Sequence, residues 1–292
     1  MSLQGIFKSR SQRRLFLWFA GLLVMVCFAA TFAIAGLTSE PKWVWQTLND
    51  FLGAMVASGA FAIFSVLFIE IFLDPDAAHD KIVVVPQDIE YQLLRVAAEA
   101  KDYRIYVRTG RYFRSKVLPK LIEQAKSNRR PINVEVILLD FRNECVCTQY
   151  VHFRKDSSFD SHLWSTDSVR AEILATALAL AKAALDNPTL FHASLHFSTR
   201  LSIFRIEGSS DEILVTREDP KDFAYKFHHS HSDHAAYMTE FRWIKDIATP
   251  INLPKAYPEG SLLTEMFGQN VITPQMDAAA LVALNGKSPY GR

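Results

Sequence analysis

The sequence has few cysteines and no excess of charge of either sign. It contains three cysteines in 292 residues and has a formal net charge of +1. Three cysteines do not make a disulfide framework, and a near-neutral chain gives no global electrostatic argument for a nucleic-acid or acidic partner. The sequence also lacks a glycine-rich phosphate loop, a G-x-G-x-x-G fingerprint and a G-x-S-x-G motif. These absences remove the nucleotide-dependent and serine-hydrolase classes that are easiest to recognise.

Two long apolar runs dominate the N-terminal quarter of the chain. Residues 15–37 and 51–69 contain no charged side chain. As helices, both are long enough to cross a hydrocarbon core of roughly 30 Å. A cleaved signal peptide has a shorter apolar core and is not followed at once by a second run. We therefore predict a transmembrane hairpin over residues 15–73, with spans 15–37 and 51–73, in preference to a signal peptide or two buried core helices.

The charges that flank these runs predict their orientation. Four basic residues precede the first span, and they are Lys8, Arg10, Arg13 and Arg14. The loop from Thr38 to Asp50 holds only one lysine and two acidic residues. By the positive-inside rule, residues 1–14 form a cytoplasmic basic N-terminus and the chain after Leu73 is also cytoplasmic. We expect a multi-pass protein of the bacterial inner membrane with both termini in the cytoplasm.

The remainder of the chain reads as one α/β domain followed by a tail. Apolar periodicity predicts helices over 88–102, 111–128, 143–156, 166–187 and 230–248. Runs of β-forming residues predict strands over 103–109, 132–140, 189–197, 200–206 and 212–218. This order predicts a cytoplasmic α/β sandwich with a mixed sheet over residues 83–249. Residues 250–292 have several prolines and no long periodic run, so we expect an irregular C-terminal tail.

Three segments of the predicted domain carry a family resemblance. They are VRTGRYFRSKVLPKL at 107–121, VILLDFRNECVCTQYVHFR at 136–154, and the hairpin at 198–219. Together they resemble the phospholipase D-like (PLD-like) superfamily over roughly residues 83–248. The resemblance implies a late strand carrying H-x-K-x(4)-D, in which His attacks phosphorus and Lys holds phosphate oxygens. It also implies that two copies of the motif face each other across one site.

The residues at the motif positions do not support that chemistry. Arg200 stands at the His position, Ser202 at the Lys position and Glu207 at the Asp position. A guanidinium stays protonated and is no nucleophile, and serine supplies no positive charge. Registers that use His192 or His196 again place serine where lysine is required. We therefore expect a degenerate site with no catalytic residues, or, if the resemblance fails, an ordinary hairpin.

No metal site or cofactor is predicted either. Histidines cluster at positions 228, 229, 231 and 234. Their spacing does not place them together on one helix face, and no C-x(2)-C pair accompanies them. We expect this stretch to be a polar loop that leads into the last helix.

Basic residues concentrate early in the domain. Residues 95–130 hold eleven Lys or Arg against three Asp or Glu. Anions bind at helix N-termini and beyond the carboxyl ends of strands in open α/β sheets. The candidate ligand-binding residues are Arg108, Arg111, Arg142, Arg200 and Arg205. They favour a nucleotide, a phosphate or a nucleic-acid backbone, while a solvated basic face next to an anionic membrane leaflet explains the charges equally well.

These features together suggest a function and its alternatives. The architecture is similar to that of bacterial membrane effectors of phage-defence systems, in which a cytoplasmic sensor controls a membrane-disrupting anchor. The leading hypothesis is a membrane-anchored, non-catalytic effector or sensor that binds an anionic ligand or a partner protein of the same system. The alternatives are an active membrane-bound phosphodiesterase or nuclease with non-standard residues, and a structural anchor that recruits a partner.

The sequence also suggests assembly. Only one PLD-like unit is present, whereas the family site is built from two, so pairing of two chains would complete it. In the second span, Gly53, Ala57 and Ala60 lie on one stripe. Small residues let helices approach closely, so we expect the second span to pack on the first span or on another subunit. We expect a homo-oligomer, either a dimer or a larger assembly.

Overall fold

A computed structural model describes residues 10–37, 43–68, 81–157, 164–217 and 222–286 of the chain. The chain divides into two units, Met1–His79 and Asp80–Arg292. The N-terminal unit is helical in its described part, and the C-terminal unit is mixed α/β.

The N-terminal unit contains two long apolar helices that pack against each other. Helix α1 spans Arg10–Leu37 and helix α2 spans Trp43–Phe68. Their apolar windows, Phe16–Ile34 and Trp45–Phe68, have mean hydropathies of 2.3 and 2.1. Both helices are long and apolar enough to cross a membrane. Helix α2 begins well before the predicted start at residue 51, because a helical backbone tolerates the polar turn that precedes the apolar run. Residues 69–73 of the predicted span lie outside the described residues.

The small-residue stripe of α2 does not face α1. Gly53, Ala57 and Ala60 are exposed within this unit. The close approach of the two helices lies instead at Gly59, where a β-carbon would collide with the side chain of Val24. The second span thus packs on the first, as predicted, but through Gly59 and not through the stripe. Packing of the second span on another subunit stays a prediction.

The C-terminal unit is organised around one eight-stranded mixed sheet. The strands are β1 Lys81–Val84, β2 Asp102–Tyr106, β3 Ile132–Leu139, β4 Phe191–Ser198, β5 Phe204–Gly208, β6 Glu212–Arg217, β7 Ala224–His228 and β8 Thr249–Ile251. Their order across the sheet is β1-β7-β6-β5-β2-β3-β4-β8. Strands β2, β3 and β4 are parallel neighbours, and the other pairs are antiparallel. The mixed sheet predicted from the sequence is thus confirmed.

Helices cover both faces of this sheet. They are α3 Ile89–Glu99, α4 Leu118–Asn128, α5 Glu144–Ser157, α6 Thr166–Asp186, α7 Ser232–Ile247, α8 Leu262–Phe267 and α9 Pro274–Asn285. The main core lies on the face that carries α3 to α6, α8 and α9. Its largest fully buried side chains include Tyr103, Phe113 and Tyr150. Helix α7 covers the opposite face, where Phe241 and Ile244 pack on Tyr106, Ile137 and Ile206.

Two strands at one side of the sheet escaped the sequence patterns. Strands β1 and β7 pair with each other at one edge of the sheet. Strand β7 carries Lys226 at an inward position, where the side chain is buried and its Nζ lies 3.3 Å from Glu212 Oε1. A lysine at a buried position breaks the apolar alternation by which a strand is recognised.

The expectation of an irregular tail is wrong. Residues 250–286 include the end of β8 and the helices α8 and α9. Each helix has a side-chain cap: Ser261 accepts a hydrogen bond from Leu263 N, and Thr273 accepts one from Met276 N. Helix α9 packs on α6 and buries Ala280 completely. Small apolar residues allow this close packing, and their weak periodicity concealed the helix in the sequence. Residues 287–292 lie outside the described residues.

Candidate functional site

A cavity of about 280 Å³ opens at the edge of the sheet where β2 and β6 end and β5 begins. It lies on the main-core face, between the start of α3 and the strand-to-helix turn after β2. Its charged lining residues are Glu90, Arg108, Arg111, Arg154, Glu172, Arg205, Glu207 and Arg217. Its aromatic lining residues are Tyr112, Phe113, Tyr150 and Trp164. The site is thus a small cavity with five arginines, three glutamates and an aromatic wall.

The turn after β2 forms one side of this pocket. Gly110 has φ +72°, a conformation that a residue with a β-carbon rarely adopts. A β-carbon there would also lie 2.7 Å from Thr176 Cγ2 and 3.2 Å from Leu138 Cδ2. The hydroxyl of Thr176 lies 2.7 Å from the carbonyl oxygen of Thr109, to which it donates a hydrogen bond. The turn is therefore held against α6 and β3.

Arg108 is almost completely buried, with 4% of its surface exposed. Its guanidinium donates a hydrogen bond to the carbonyl oxygen of Ser202. On the same segment, Tyr106 Oη donates to the carbonyl oxygen of Arg200 at 2.7 Å. The residues just before β5 are therefore tied to β2, and Arg108 is one of the residues that line the cavity.

A network of two arginines and one glutamate supports the pocket. Arg111 Nη1 lies 3.5 Å from Glu172 Oε1, and Arg114 Nη2 lies 2.8 Å from Glu172 Oε2. Arg114 also donates to Thr176 Oγ1 at 3.0 Å and to the carbonyl oxygen of Ala283 at 2.9 Å. Since Ala283 is in the last turn of α9, Arg114 links the pocket wall to the C-terminal helix.

Arg154 reaches the pocket from α5, together with two aromatic rings. Its Cζ lies 4.5 Å from the centroid of the Trp164 ring, a cation–π distance. Tyr150 and Trp164 are in an edge-to-face arrangement at 5.8 Å. Arg154 is 4% exposed. The sequence analysis missed Arg154 and Arg217; the i, i+4 spacing of Tyr150 and Arg154 on one helix was the available signal for the first.

Strands β5 and β6 supply the inner part of the pocket. Arg205 and Glu207 are two residues apart on β5 and therefore point to the same face of the sheet. Ile206, between them, points to the opposite face and packs under α7. Thr216 on β6 is the cross-strand partner of Arg205. Glu207 and Thr216 are 3% and 5% exposed, which places them deep in the site.

Two hydroxyl groups in this inner part have no hydrogen-bond partner among the described residues. They are Thr216 Oγ1 and Tyr112 Oη. Burial, with the nearby carboxylates of Glu90 and Glu207, raises the pKa of Tyr112 well above its ordinary value. The phenol therefore stays protonated at neutral pH and can donate a hydrogen bond.

Two of the five predicted arginines do not reach the pocket. Arg142 forms a pair of hydrogen bonds with Asp140, each 2.8 Å long, and these bonds raise the pKa of Arg142. Arg200 Nη2 lies 2.5 Å from Glu240 Oε1 on α7. Arg108, Arg111 and Arg205 do line the pocket.

The positions compared with H-x-K-x(4)-D do not lie together on one strand. Arg200 and Ser202 precede β5, and only Glu207 is on it and in the pocket. His192 and His196 are on β4, where the alternate residues Phe191, Leu195 and Phe197 belong to the main core. Their own side chains therefore point to the α7 face, away from the pocket.

The histidine stretch 228–234 is split between the end of β7, a turn and the start of α7. Within the part of the chain that the structure describes, no group of three or more His, Cys, Asp and Glu side chains is arranged to hold a metal ion.

Comparison with known proteins gives a distant structural similarity. No family model matches the chain, and no curated protein matches it. One similar solved structure is that of TrmBL2, an archaeal chromatin protein described as showing a novel mode of DNA binding. The two sequences are 10% identical and the TM-score is 0.38. The match covers 71% of this chain and 67% of the TrmBL2 chain.

Proposed function

We propose that this chain is a membrane-anchored, non-catalytic sensor whose cytoplasmic α/β domain binds a small anionic ligand in the arginine-lined pocket. The observation that carries the proposal is the convergence of five arginines on one cavity that holds only three glutamates. Helices α1 and α2 supply the membrane anchor. The resemblance to phage-defence effectors suggests that ligand binding acts on that anchor, in an oligomer and together with a partner of the same system.

Burial favours a ligand over a membrane surface as the partner of these charges. A basic face that meets anionic lipid headgroups presents its cations outward. Here Arg108 and Arg154 are each 4% exposed and line a cavity. A guanidinium has five N–H donors, so one that already has a partner in the protein can still donate to an anion. An anion that enters the cavity would form charge-assisted hydrogen bonds with such groups, which are stronger than neutral ones.

The residues of the pocket also support binding without catalysis. Glu207 is the one residue of the compared motif that lines it, and the candidate nucleophiles His192 and His196 lie on the other face of the sheet. The alternative of a phosphodiesterase therefore requires a nucleophile from elsewhere.

The binding proposal can be tested with arginine variants of the full chain in lipid nanodiscs. Inorganic phosphate and pyrophosphate are titrated by calorimetry at fixed ionic strength. Arg205→Gln and Arg217→Gln should each raise Kd roughly tenfold or more, since a hydrogen bond to a charged group contributes about 1.5–3 kcal/mol. The matched control is Arg242→Gln, an exposed arginine on α7 at the opposite face. Equal affinities in all three variants would contradict the proposal.

The proposed topology predicts where a reporter is active. A reporter enzyme fused after Leu73 should be active in the cytoplasm, because the basic cluster that includes Arg13 and Arg14 precedes the first span. A second fusion, after Glu40 in the connecting loop, serves as the control and should be active in the periplasm. The reverse pattern would refute the orientation.

A further inference from the structure

The pocket has a mouth lined by exposed arginines and an inner part that is buried. At the mouth, the side chains of Arg217 and Arg111 are 52% and 29% exposed. Deeper in the site, Thr216 is 5% exposed. A ligand that is only a small inorganic anion would be held by the arginines of the mouth and would leave the inner part unused.

Thr216 is the clearest sign that the inner part has an occupant. Its Oγ1 is inaccessible to solvent and has no hydrogen-bond partner among the described residues. A buried hydroxyl without a partner is destabilising, and such groups are rare in folded proteins. Tyr112 Oη, a second hydroxyl of the lining, likewise has no hydrogen-bond partner among the described residues. Both hydroxyls can donate and accept hydrogen bonds, so they suit the neutral polar edge of a ligand better than a second anionic group.

The walls around these hydroxyls are aromatic. Tyr112, Phe113, Tyr150 and Trp164 line the cavity. Arg154 stacks over Trp164 and presents a planar guanidinium beside them. Nucleobases are commonly bound by stacking on aromatic rings and on arginine planes. The inner part thus combines flat surfaces with hydrogen-bonding groups.

We infer that the anionic ligand is a nucleoside phosphate, with its phosphate at the arginines of the mouth and its base against the aromatic wall, hydrogen-bonded to Thr216 and Tyr112. The inference rests on the proposed anion-binding function and names the ligand class. The cavity of about 280 Å³ suits a single nucleotide. This volume lies just below the range for small-molecule sites, roughly 300–1,000 Å³, which favours a ligand no larger than one nucleotide.

The test uses the full chain in nanodiscs and four probes: the 5′-monophosphates of adenosine, guanosine, cytidine and uridine. Ribose 5-phosphate and inorganic phosphate are measured beside them. At least one nucleotide should bind about tenfold or more tightly than ribose 5-phosphate, because stacking of a base typically contributes about a tenfold gain. Thr216→Val, which keeps the shape of the side chain, should weaken that nucleotide about tenfold and leave inorganic phosphate unchanged. Tyr112→Phe should do the same.

The matched control is Thr239→Val on α7. The exposed hydroxyl of Thr239 donates a hydrogen bond to the carbonyl oxygen of Ala235 on the same helix. This variant should bind the nucleotide as the unaltered chain does. If phosphate binds but no nucleotide exceeds ribose 5-phosphate, or if Thr216→Val leaves nucleotide affinity unchanged, the inference is overturned and the proposed function stands. If none of the anions binds, both are overturned.

Discussion

Replacing Arg114 with Met should lower the free energy of unfolding by about 3–5 kcal/mol, the cost of leaving a buried charge without its partner. The side chain of Arg114 is 5% exposed and that of Glu172 is 14% exposed, and their ion pair is 2.8 Å long. The substitution also removes the hydrogen bond to the carbonyl oxygen of Ala283. Urea unfolding of the detergent-solubilised full chain, followed by the fluorescence of Trp164 and the other tryptophans, measures the change.

Two further variants separate the buried pair from a general effect of losing an arginine. Arg217→Met removes an arginine whose pair with Asp222 is exposed, 3.9 Å long and weak. Its cost should be no more than about 1 kcal/mol. Adding Glu172→Leu to Arg114→Met should recover part of the loss, because it removes a carboxylate that then has only the 3.5 Å contact with Arg111. A loss below about 1 kcal/mol for Arg114→Met alone would show that the network does not stabilise the fold.

Gly110→Ala should be more damaging than the same substitution at Gly268 or Gly260. The φ of +72° strains any residue with a β-carbon, at about 1–3 kcal/mol. The new β-carbon would in addition meet Thr176 Cγ2 at 2.7 Å, and overpacking of this kind costs about 1–3 kcal/mol more. The turn between Thr109 and Arg111 would have to shift, so anion affinity should fall along with stability.

The chain offers matched controls for the two parts of this effect. Gly268 has φ +87° but nothing within 4 Å of a β-carbon, so Gly268→Ala reports backbone strain alone. Gly260 has open space and an ordinary φ, so Gly260→Ala should change stability by less than about 0.5 kcal/mol. Urea unfolding should rank the losses Gly110, Gly268, Gly260. If Gly110→Ala costs no more than Gly268→Ala, contact with Thr176 is not part of the constraint.

The substitutions of Arg114 and Gly110 both act on contacts that are made through Thr176. Thr176 contacts the turn through the carbonyl oxygen of Thr109, and it accepts a hydrogen bond from Arg114. Arg114 in turn holds the last turn of α9. The pocket wall, α6 and the C-terminal helix therefore form one packed unit, and substitutions in it should affect stability and binding together.

Local sequence patterns predicted the elements of the fold well where those elements are long. The apolar runs that begin at residues 15 and 51 correspond to helices α1 and α2, and the periodic stretch at 166–187 corresponds to α6. The same patterns failed for β7, where Lys226 is buried beside Glu212, and for α9, which is made largely of alanine. In both cases the partner that makes burial favourable, Glu212 for Lys226 and α6 for α9, lies elsewhere in the chain, so the local sequence pattern does not reveal it.

The candidate site was only half predictable. Arg108, Arg111 and Arg205 reach the pocket, whereas Arg142 and Arg200 pair with Asp140 and Glu240 away from it. A basic residue at a strand end is visible in the sequence, but the carboxylate that captures its guanidinium is not. Glu240, for example, reaches Arg200 from a helix on the opposite face of the sheet.

The sequence by itself determined two apolar helices, an α/β class with a mixed sheet, and the absence of an H-x-K-x(4)-D motif at residues 200–207. These follow from composition and short-range periodicity, because hydrophobic spacing sets which face of each element is buried. Only the tertiary structure decided which arginines share a cavity and that the C-terminal helix closes the core. Those outcomes depend on contacts between distant residues, such as Arg114 and Ala283, which are 169 positions apart. Such contacts form only when the sheet brings the strand ends, α6 and α9 together.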